Sequence, residues 1–309
     1  MLRIGTRGSV LALWQANHIA GRLAQLHGIE TEIVRIRTSG DRIESASIAQ
    51  IGAETGIKGV FIKELEDALL AESVDLAVHS MKDVPTEVPR GLAFPAIPRR
   101  EDPRDCLISR AHRTLKTLES GARIGTSSLR RQAQLRYYRP DLQAVDLRGN
   151  VDTRLRKLDA GEFDAIVLAV AGVNRLGASE RITQVLEPEV MLPAVGQGAL
   201  GIETRAADAE TSRLVASLDD PETRACVTAE RALLHELQGG CQVPLGAWAR
   251  LSDRQIHIEA AVFSPDGTVF VRRAGRGSAN DAPGVGKRLG EDLIEAGADR
   301  ILRLAGRAV

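Results

Sequence analysis

A chain of 309 residues is long enough for two or three domains whose cores need neither disulfides nor metals. It is 43% hydrophobic and 27% charged, an ordinary globular composition, and its longest apolar run, residues 165–173, is far too short to span a bilayer. Forty-one basic residues balance forty-one acidic ones, so no net field draws the chain to nucleic acid or to a membrane surface. The three cysteines, Cys106, Cys226 and Cys241, have no CxxC spacing, which argues against a disulfide framework and a structural zinc site. The opening Met1-Leu2-Arg3-Ile4-Gly5 lacks the basic-then-apolar profile of a signal peptide, which predicts a cytoplasmic protein.

In chain order, residues 2–6 read as a short buried strand. Ser9 then caps a helix whose apolar positions include Leu11, Trp14, Ile19, Leu23 and Leu26 and which stops at Gly28. A strand at about 31–37, an amphipathic helix over 61–71 and a buried strand over 74–78 follow, the last ending in His79-Ser80-Met81-Lys82-Asp83. This alternation predicts a parallel α/β sheet, with ligand bound beyond the carboxyl ends of its strands. Residues 98–105, rich in proline and charge, predict a crossing between domains.

Beyond that crossing Arg123-Ile124-Gly125-Thr126 repeats Arg3-Ile4-Gly5-Thr6 letter for letter, and Asp164-Ala165-Ile166-Val167 echoes Asp75-Leu76-Ala77-Val78. Each copy runs from a strand toward a serine cap, Ser9 in one and Ser127 or Ser128 in the other. Two echoes in the same order predict two related α/β domains facing across a cleft, each aiming a helix N-terminus into it. Residues 192–198 read as a return hinge and 217–222 as a linker. The remainder predicts a small α+β domain: a helix at about 223–237, antiparallel strands at 243–250, 255–263 and 268–273, and a closing helix over 283–305. The expected division is 1–98 plus 198–217, 104–193, and 220–309.

Between Ala122 and Lys157 nine basic residues stand against three acidic ones. Such an island suits a ligand with several carboxylates or phosphates, because a guanidinium holds an oxyanion by two parallel hydrogen bonds; a solvated helix face is the plain alternative. Only six basic residues are lysines, three of them (Lys58, Lys63 and Lys82) between positions 58 and 82. Cys241 follows Leu237-Gln238-Gly239-Gly240 on a loop after a helix, so it is either a functional nucleophile or a chance loop cysteine. Asp83 either projects a carboxylate from a strand end or forms the turn before Pro85. His79 reads as a hydrogen-bonded strand-end histidine, with no second metal ligand at a matching spacing. No Walker loop or dinucleotide fingerprint is present.

Six blocks, taken together, resemble the porphobilinogen deaminase family: residues 4–9 (IGTRGS), 79–85 (HSMKDVP), 125–131 (GTSSLRR), 147–154 (LRGNVDTR), 196–200 (GQGAL) and 239–244 (GGCQVP). They occur in the family's order and cover nearly the whole chain. The resemblance implies a transferase of tetrapyrrole (haem) biosynthesis that condenses four porphobilinogen molecules head to tail, releasing ammonia and yielding hydroxymethylbilane. It implies two periplasmic-binding-protein-like α/β domains with a cleft and hinge, plus a C-terminal α+β domain with a small antiparallel sheet.

By resemblance, Cys241 carries a dipyrromethane cofactor through a thioether and Asp83 is the catalytic carboxylate. Arg7, Lys82, Arg130, Arg131, Arg148, Arg154 and Arg175 match positions that bind the acetate and propionate groups of cofactor and substrate. Ser9, Ser80, Thr126, Ser127 and Ser128 match supporting donors, Gln197 lies in the Gly-Gln-Gly block, and Lys58 falls in a match to the Gly-x-Lys-Gly-Leu-Phe segment. Gly8, Glu54 and Val60 depart from the common pattern, and Glu54 stands where some relatives place a lysine. The expected partner is porphobilinogen alone, with no nucleic acid or membrane, for a cytoplasmic monomer without a metal. A non-catalytic small-anion binding protein of the same architecture is the alternative. A nucleic-acid binder is disfavoured by the balanced charge and by only two Trp, two Tyr and five Phe.

Overall fold

The computed structural model of the chain describes residues 1–38, 62–237 and 243–307. They fall into two compact units, Met1–Arg100 with Ala199–Arg224, and Glu101–Gly198 with Ala225–Val309. The first unit opens with β1 (Leu2–Thr6), α1 (Val10–His27) and β2 (Thr31–Arg35), followed by α2 (Lys63–Leu70), β3 (Leu76–Ser80) and β4 (Leu92–Ala96). Local chemistry sets the ends of α1: Ser9 Oγ accepts from the Ala12 N–H at 3.2 Å, and Gly28, at φ 65°, donates its N–H to Ala24. The helix buries Ala16, Ile19 and Leu23 with Ile4, Leu76 and Val78 of the sheet.

The strand expected at 74–78 begins two residues later. Asp75 stands just ahead of it, its N–H donating to the Arg3 carbonyl at 2.9 Å and its carboxylate accepting from the Arg3 N–H at 2.9 Å and from the Arg3 guanidinium at 2.7 Å. His79 and Ser80 are therefore strand residues, and a single 3-10 turn over Met81–Asp83 follows them.

The chain then builds β5 (Asp105–Ser109), β6 (Arg123–Gly125), α3 (Leu129–Tyr138), β7 (Gln143–Val145), α4 (Val151–Asp159), β8 (Ala165–Ala169), α5 (Val170–Arg175) and β9 (Gln184–Leu186) in the second unit. It returns to the first unit for β10 (Leu200–Arg205) and α6 (Ala209–Ala216). From α7 (Pro221–Glu236) it continues into β11 (Leu245–Ser252), β12 (Gln255–Phe263), β13 (Phe270–Ser278), α8 (Ala282–Glu295) and α9 (Ala298–Arg307). The single closing helix expected over 283–305 is two helices, broken at Gly297, which takes φ 98°.

Both α/β sheets are mixed rather than parallel. The first has the order β2-β1-β3-β10-β4, with β10 antiparallel to β3 and β4; the second has the order β7-β6-β8-β5-β9, with β5 antiparallel to β8 and β9. The reversed strand is fourth in each and directly follows a passage of the chain from one unit to the other, so no crossover helix forces it parallel. A third sheet, β11-β12-β13, is antiparallel throughout and packs Ile256 and Ile258 with Leu233, Val285, Leu289 and Leu293 of the helices.

The repeat is structural. In each copy the first strand donates an N–H to an aspartate ahead of its parallel neighbour: Arg3 to Asp75 Oδ2 at 2.9 Å, and Arg123 to Asp164 Oδ2 at 2.8 Å. The register agrees as well, Ile4 facing Leu76 in one sheet and Ile124 facing Ala165 in the other.

Candidate functional site

In the first unit, the predicted residues gather at the carboxyl ends of β1 and β3. Met81 and Val84 are buried at either end of the turn, while Lys82 between them is half-buried and Asp83 is exposed. The turn is anchored through the Met81 N–H, which donates to Ala199 at 3.0 Å, and through the Met81 sulfur, which fills the space over Gly201. A Cβ on Gly201 would collide with that sulfur and meet the Phe94 ring at 2.9 Å. Ser80 ends β3, half-buried. Arg7, half-buried, lies between β1 and the Ser9 cap; the Ser9 oxygen is an acceptor there, and its proton remains for another group.

His79 is buried with Nε2 2.9 Å from Glu203 Oε2, its ring edge-on to Phe94. His79 thus lies near the end of β3 as expected, but its approach to Glu203 lacks hydrogen-bond geometry, so the expected hydrogen bond is not found among the described residues. Burial and the nearby Glu203 push the Glu66 carboxyl above its ordinary range, against the pull of His79. Glu203 has no signature in the sequence, since only the β3–β10 pairing brings it to His79.

The second unit holds the cationic residues. Ser128 caps α3, accepting from the Arg131 N–H at 3.4 Å, which resolves the choice of cap. Ser127 is spent on the backbone of Leu147, donating to its carbonyl at 3.1 Å and accepting from its N–H at 3.0 Å. Thr126 is buried and accepts from the Ser128 N–H at 3.3 Å. The Leu147 latch precedes Arg148 and Gly149, whose φ of 109° and 2.7 Å approach of a would-be Cβ to Thr153 leave no place for a side chain. Arg154 Nε donates to the Gly149 carbonyl at 2.7 Å. Arg148 is exposed and Arg154 half-buried, at the start of α4.

Arg130 and Arg131, by contrast, are each 5% exposed and share a partner that sequence reasoning missed, the fully buried Asp105 at the start of β5. Arg130 Nη1 donates to Asp105 Oδ2 at 2.6 Å and to the Leu192 carbonyl at 2.5 Å. Arg131 donates from Nε at 3.1 Å and Nη2 at 2.7 Å to Asp105 Oδ1, and from Nη1 to the Val167 carbonyl at 2.9 Å. Gln197 Nε2 completes the carboxylate, at 2.9 Å from Oδ1, and also reaches the Pro103 carbonyl.

Burial alone would raise the Asp105 pKa, but Arg130 and Arg131 override it and hold the carboxyl at about 2. Burial lowers the Arg130 pKa, Asp105 opposing and Arg131 adding to the effect. The available signal was an aspartate opening the apolar run Cys106-Leu107-Ile108, a carboxylate that has to find cations once buried. Arg175, at the end of α5, is also buried and donates from Nη2 to the Gly198 carbonyl at 2.7 Å. Burial brings its pKa down to about 10, with Glu101 opposing.

Cys241 and Lys58, and the divergent Glu54, lie outside the described residues. Buried guanidiniums in net excess over carboxylate, with Arg148 and Arg154 at a helix start, form a donor set suited to a polycarboxylate; a dipyrromethane, with an acetate and a propionate on each ring, fits it.

Comparison with known proteins agrees in chemistry. Residues 2–213 match the family model "Porphobilinogen deaminase, dipyromethane cofactor binding domain", and residues 224–295 match "Porphobilinogen deaminase, C-terminal domain". A curated relative from Syntrophobacter fumaroxidans, named porphobilinogen deaminase, is 49% identical over 309 residues, covering 100% of this chain and 99% of its own. Among solved structures, the methionine binding protein MetQ is 13% identical, covers 70% of this chain and 89% of its own, and has a TM-score of 0.43. A periplasmic substrate-binding protein of an ABC transporter from Coxiella burnetii is 15% identical, covers 75% and 97%, and has a TM-score of 0.42.

Proposed function

The chain belongs to the porphobilinogen deaminase family, and from that premise we propose which of its residues carry the reaction. The enzyme is a transferase of tetrapyrrole biosynthesis that condenses four porphobilinogen molecules head to tail, with release of ammonia, into hydroxymethylbilane on a dipyrromethane cofactor. The non-catalytic alternative falls with that membership. When bound, the dipyrromethane supplies the nucleophilic pyrrole carbon that starts the chain.

Asp83 is the catalytic carboxylate. Its side chain accepts the pyrrole N–H of the incoming substrate and stabilises the positive charge that develops on the aminomethyl carbon as ammonia departs. The single observation carrying this assignment is that Asp83 is exposed at the tip of a turn whose two flanking residues, Met81 and Val84, are buried. Lys82 and Ser80 beside it, with Arg7 and Ser9, hold substrate carboxylates in the first unit. In the second, Arg130, Arg148, Arg154 and Arg175 do so directly, with Arg131 locked on Asp105 behind Arg130 and with Thr126, Ser127, Ser128 and Gln197 in support. Lys58 is a further carboxylate holder. Cys241 anchors the cofactor by a thioether, a reading supported by the match of the Gly239-Gly240-Cys241 block to the family.

The second unit comprises two domains in this reading, 104–193 and 220–309, beside a first domain of 1–98 with 198–217. The separate hydrophobic clusters around β5–β9 and β11–β13 support it. The balanced charge supports the absence of a nucleic-acid or membrane-surface partner, and among the described residues no helix is long and apolar enough to cross a membrane; a cytoplasmic monomer is the state that membership of the family implies.

Asp83→Asn tests the assignment. Turnover is expected to fall by at least about 100-fold, while intact-protein mass still shows the added mass of the cofactor. Near-normal turnover in that variant would remove Asp83 from the reaction. In the same mass measurement Cys241→Ser is expected to weigh no more than its polypeptide; retention of the cofactor would refute the thioether.

A further inference from the structure

The two adjacent arginines that open α3 are not equivalent. Every side-chain nitrogen of Arg131 already donates inside the second unit, to Asp105 or to Val167. Arg130 is engaged through Nη1 alone, and among the described residues its Nε and Nη2 donate to nothing. One carboxylate against two guanidiniums leaves this buried cluster with one surplus positive charge, a state that calls for an anion. The Nε–Nη2 side of a guanidinium is a two-pronged edge that matches one carboxylate.

We propose that Asp105 is a positioning residue for ligand binding: by locking Arg131 and pinning Arg130 at Nη1, it presents the Nε–Nη2 edge of Arg130 as the seat for one carboxylate of the bound pyrrole chain. Arg131 serves in this arrangement to fix Asp105 rather than to touch the ligand. The inference rests on the reading of the second-unit arginines as carboxylate holders. Gln197, on the segment that leads out of the second unit, completes the same carboxylate, so that Asp105, Gln197 and the start of α3 are held as one piece.

The test compares purified holoenzymes carrying Asp105→Asn or Arg130→Gln, with cofactor content read by intact mass and folding by circular dichroism. Steady-state kinetics with porphobilinogen should give a KM raised at least tenfold in both, with kcat in Asp105→Asn within about threefold of wild type. A destabilised but unrepositioned site would not move KM in this way. If Arg130→Gln raises KM and folded Asp105→Asn keeps it within twofold, the positioning role is overturned and the arginine reading stands. If Arg130→Gln itself leaves KM unchanged, it is the arginine reading that fails, and the inference with it.

Should Asp105→Asn not fold, Asp105→Asn/Arg131→Gln keeps the cluster at one net positive charge while releasing Arg130 from its anchor. A KM raised tenfold or more in that variant supports the proposal, and a KM within twofold of wild type overturns it. If neither variant folds, Asp105 is a folding residue and the proposal is equally overturned.

Discussion

Asp105 gathers four donors onto two oxygens, and that arrangement sets an acid limit for the second unit. Its carboxyl titrates at about 2 in the folded chain against an ordinary 3.8. A depressed folded value means that the stability it contributes is fully present above about pH 4 and disappears as the pH falls through 2. The shift is worth roughly 2 kcal/mol. Urea unfolding of wild type at pH 4, 3 and 2 should therefore show stability falling more steeply than in a folded Asp105→Asn, the two curves converging at the acid end; parallel curves would contradict the linkage. Gly149 raises a different residue-scale question, because its backbone lies where side chains are disfavoured and Thr153 fills the adjacent space. Gly149→Ala should cost about 1–3 kcal/mol. It should also raise KM, since Arg148 precedes it and Arg154 bonds to its carbonyl. A thermal melt and steady-state kinetics on the same sample separate the two effects, and an unchanged melting temperature would contradict the steric argument.

Among elements, Glu230 of α7 performs a tie that no sequence pattern announces. Fully buried, it accepts from the Gly196 N–H at 2.7 Å and the Ala249 N–H at 2.8 Å, joining the 193–198 segment to β11. Glu230→Ala orphans both donors, a loss of about 2–5 kcal/mol, whereas Glu230→Gln retains one acceptor and should lose less than half as much in urea unfolding. The same tie alters the picture of 192–198 as a hinge chosen for its glycines and proline: Gly196, Gln197 and Gly198 are each bonded within the second unit. What the sequence disclosed were elements whose signal is local. Both ends of α1 follow from Ser9 and Gly28, and the start of α3 from its serines. β5 and β10 were hidden because their direction is decided by partners far along the chain, and Asp105 and Glu203 stayed hidden with them. Asp83 and the arginine island were visible as residue types in recognisable blocks, but the division of labour between Arg130 and Arg131 needed the Asp105 carboxylate in place.

At the scale of the whole molecule, the letter-for-letter repeat marks one folding solution used twice, with three parallel strands, a reversed fourth and an aspartate at the same joint. The two joints differ in strength, which permits a test. Asp75 accepts from the Arg3 backbone at 2.9 Å and from its side chain at 3.1 and 2.7 Å, with Arg205 a further 3.4 Å contact. Burial pushes its carboxyl up, yet Arg3 and Arg205 bring the net pKa below the ordinary range, so its contribution is present above about pH 4 and lost as the pH falls below that. Asp164 is exposed and, among the described residues, accepts at its carboxylate only from the Arg123 N–H at 2.8 Å. At neutral pH, Asp75→Asn should cost about 1–3 kcal/mol, the scale of charge-assisted hydrogen bonds lost in a partly buried site, and Asp164→Asn less than about 1 kcal/mol, because its one bond is solvent-exposed and an amide oxygen can still accept it. Hydrogen exchange read on peptides would place the first loss in 2–6 and 74–80, and the second in 123–125 and 164–169. Below about pH 3 the penalty of Asp75→Asn should shrink toward that of Asp164→Asn, because the wild-type carboxylate is then itself being neutralised. Equal penalties at neutral pH, or a larger one at Asp164, would mean that the shared joint draws its strength from the strand ladder and not from the guanidinium that only the first copy acquired.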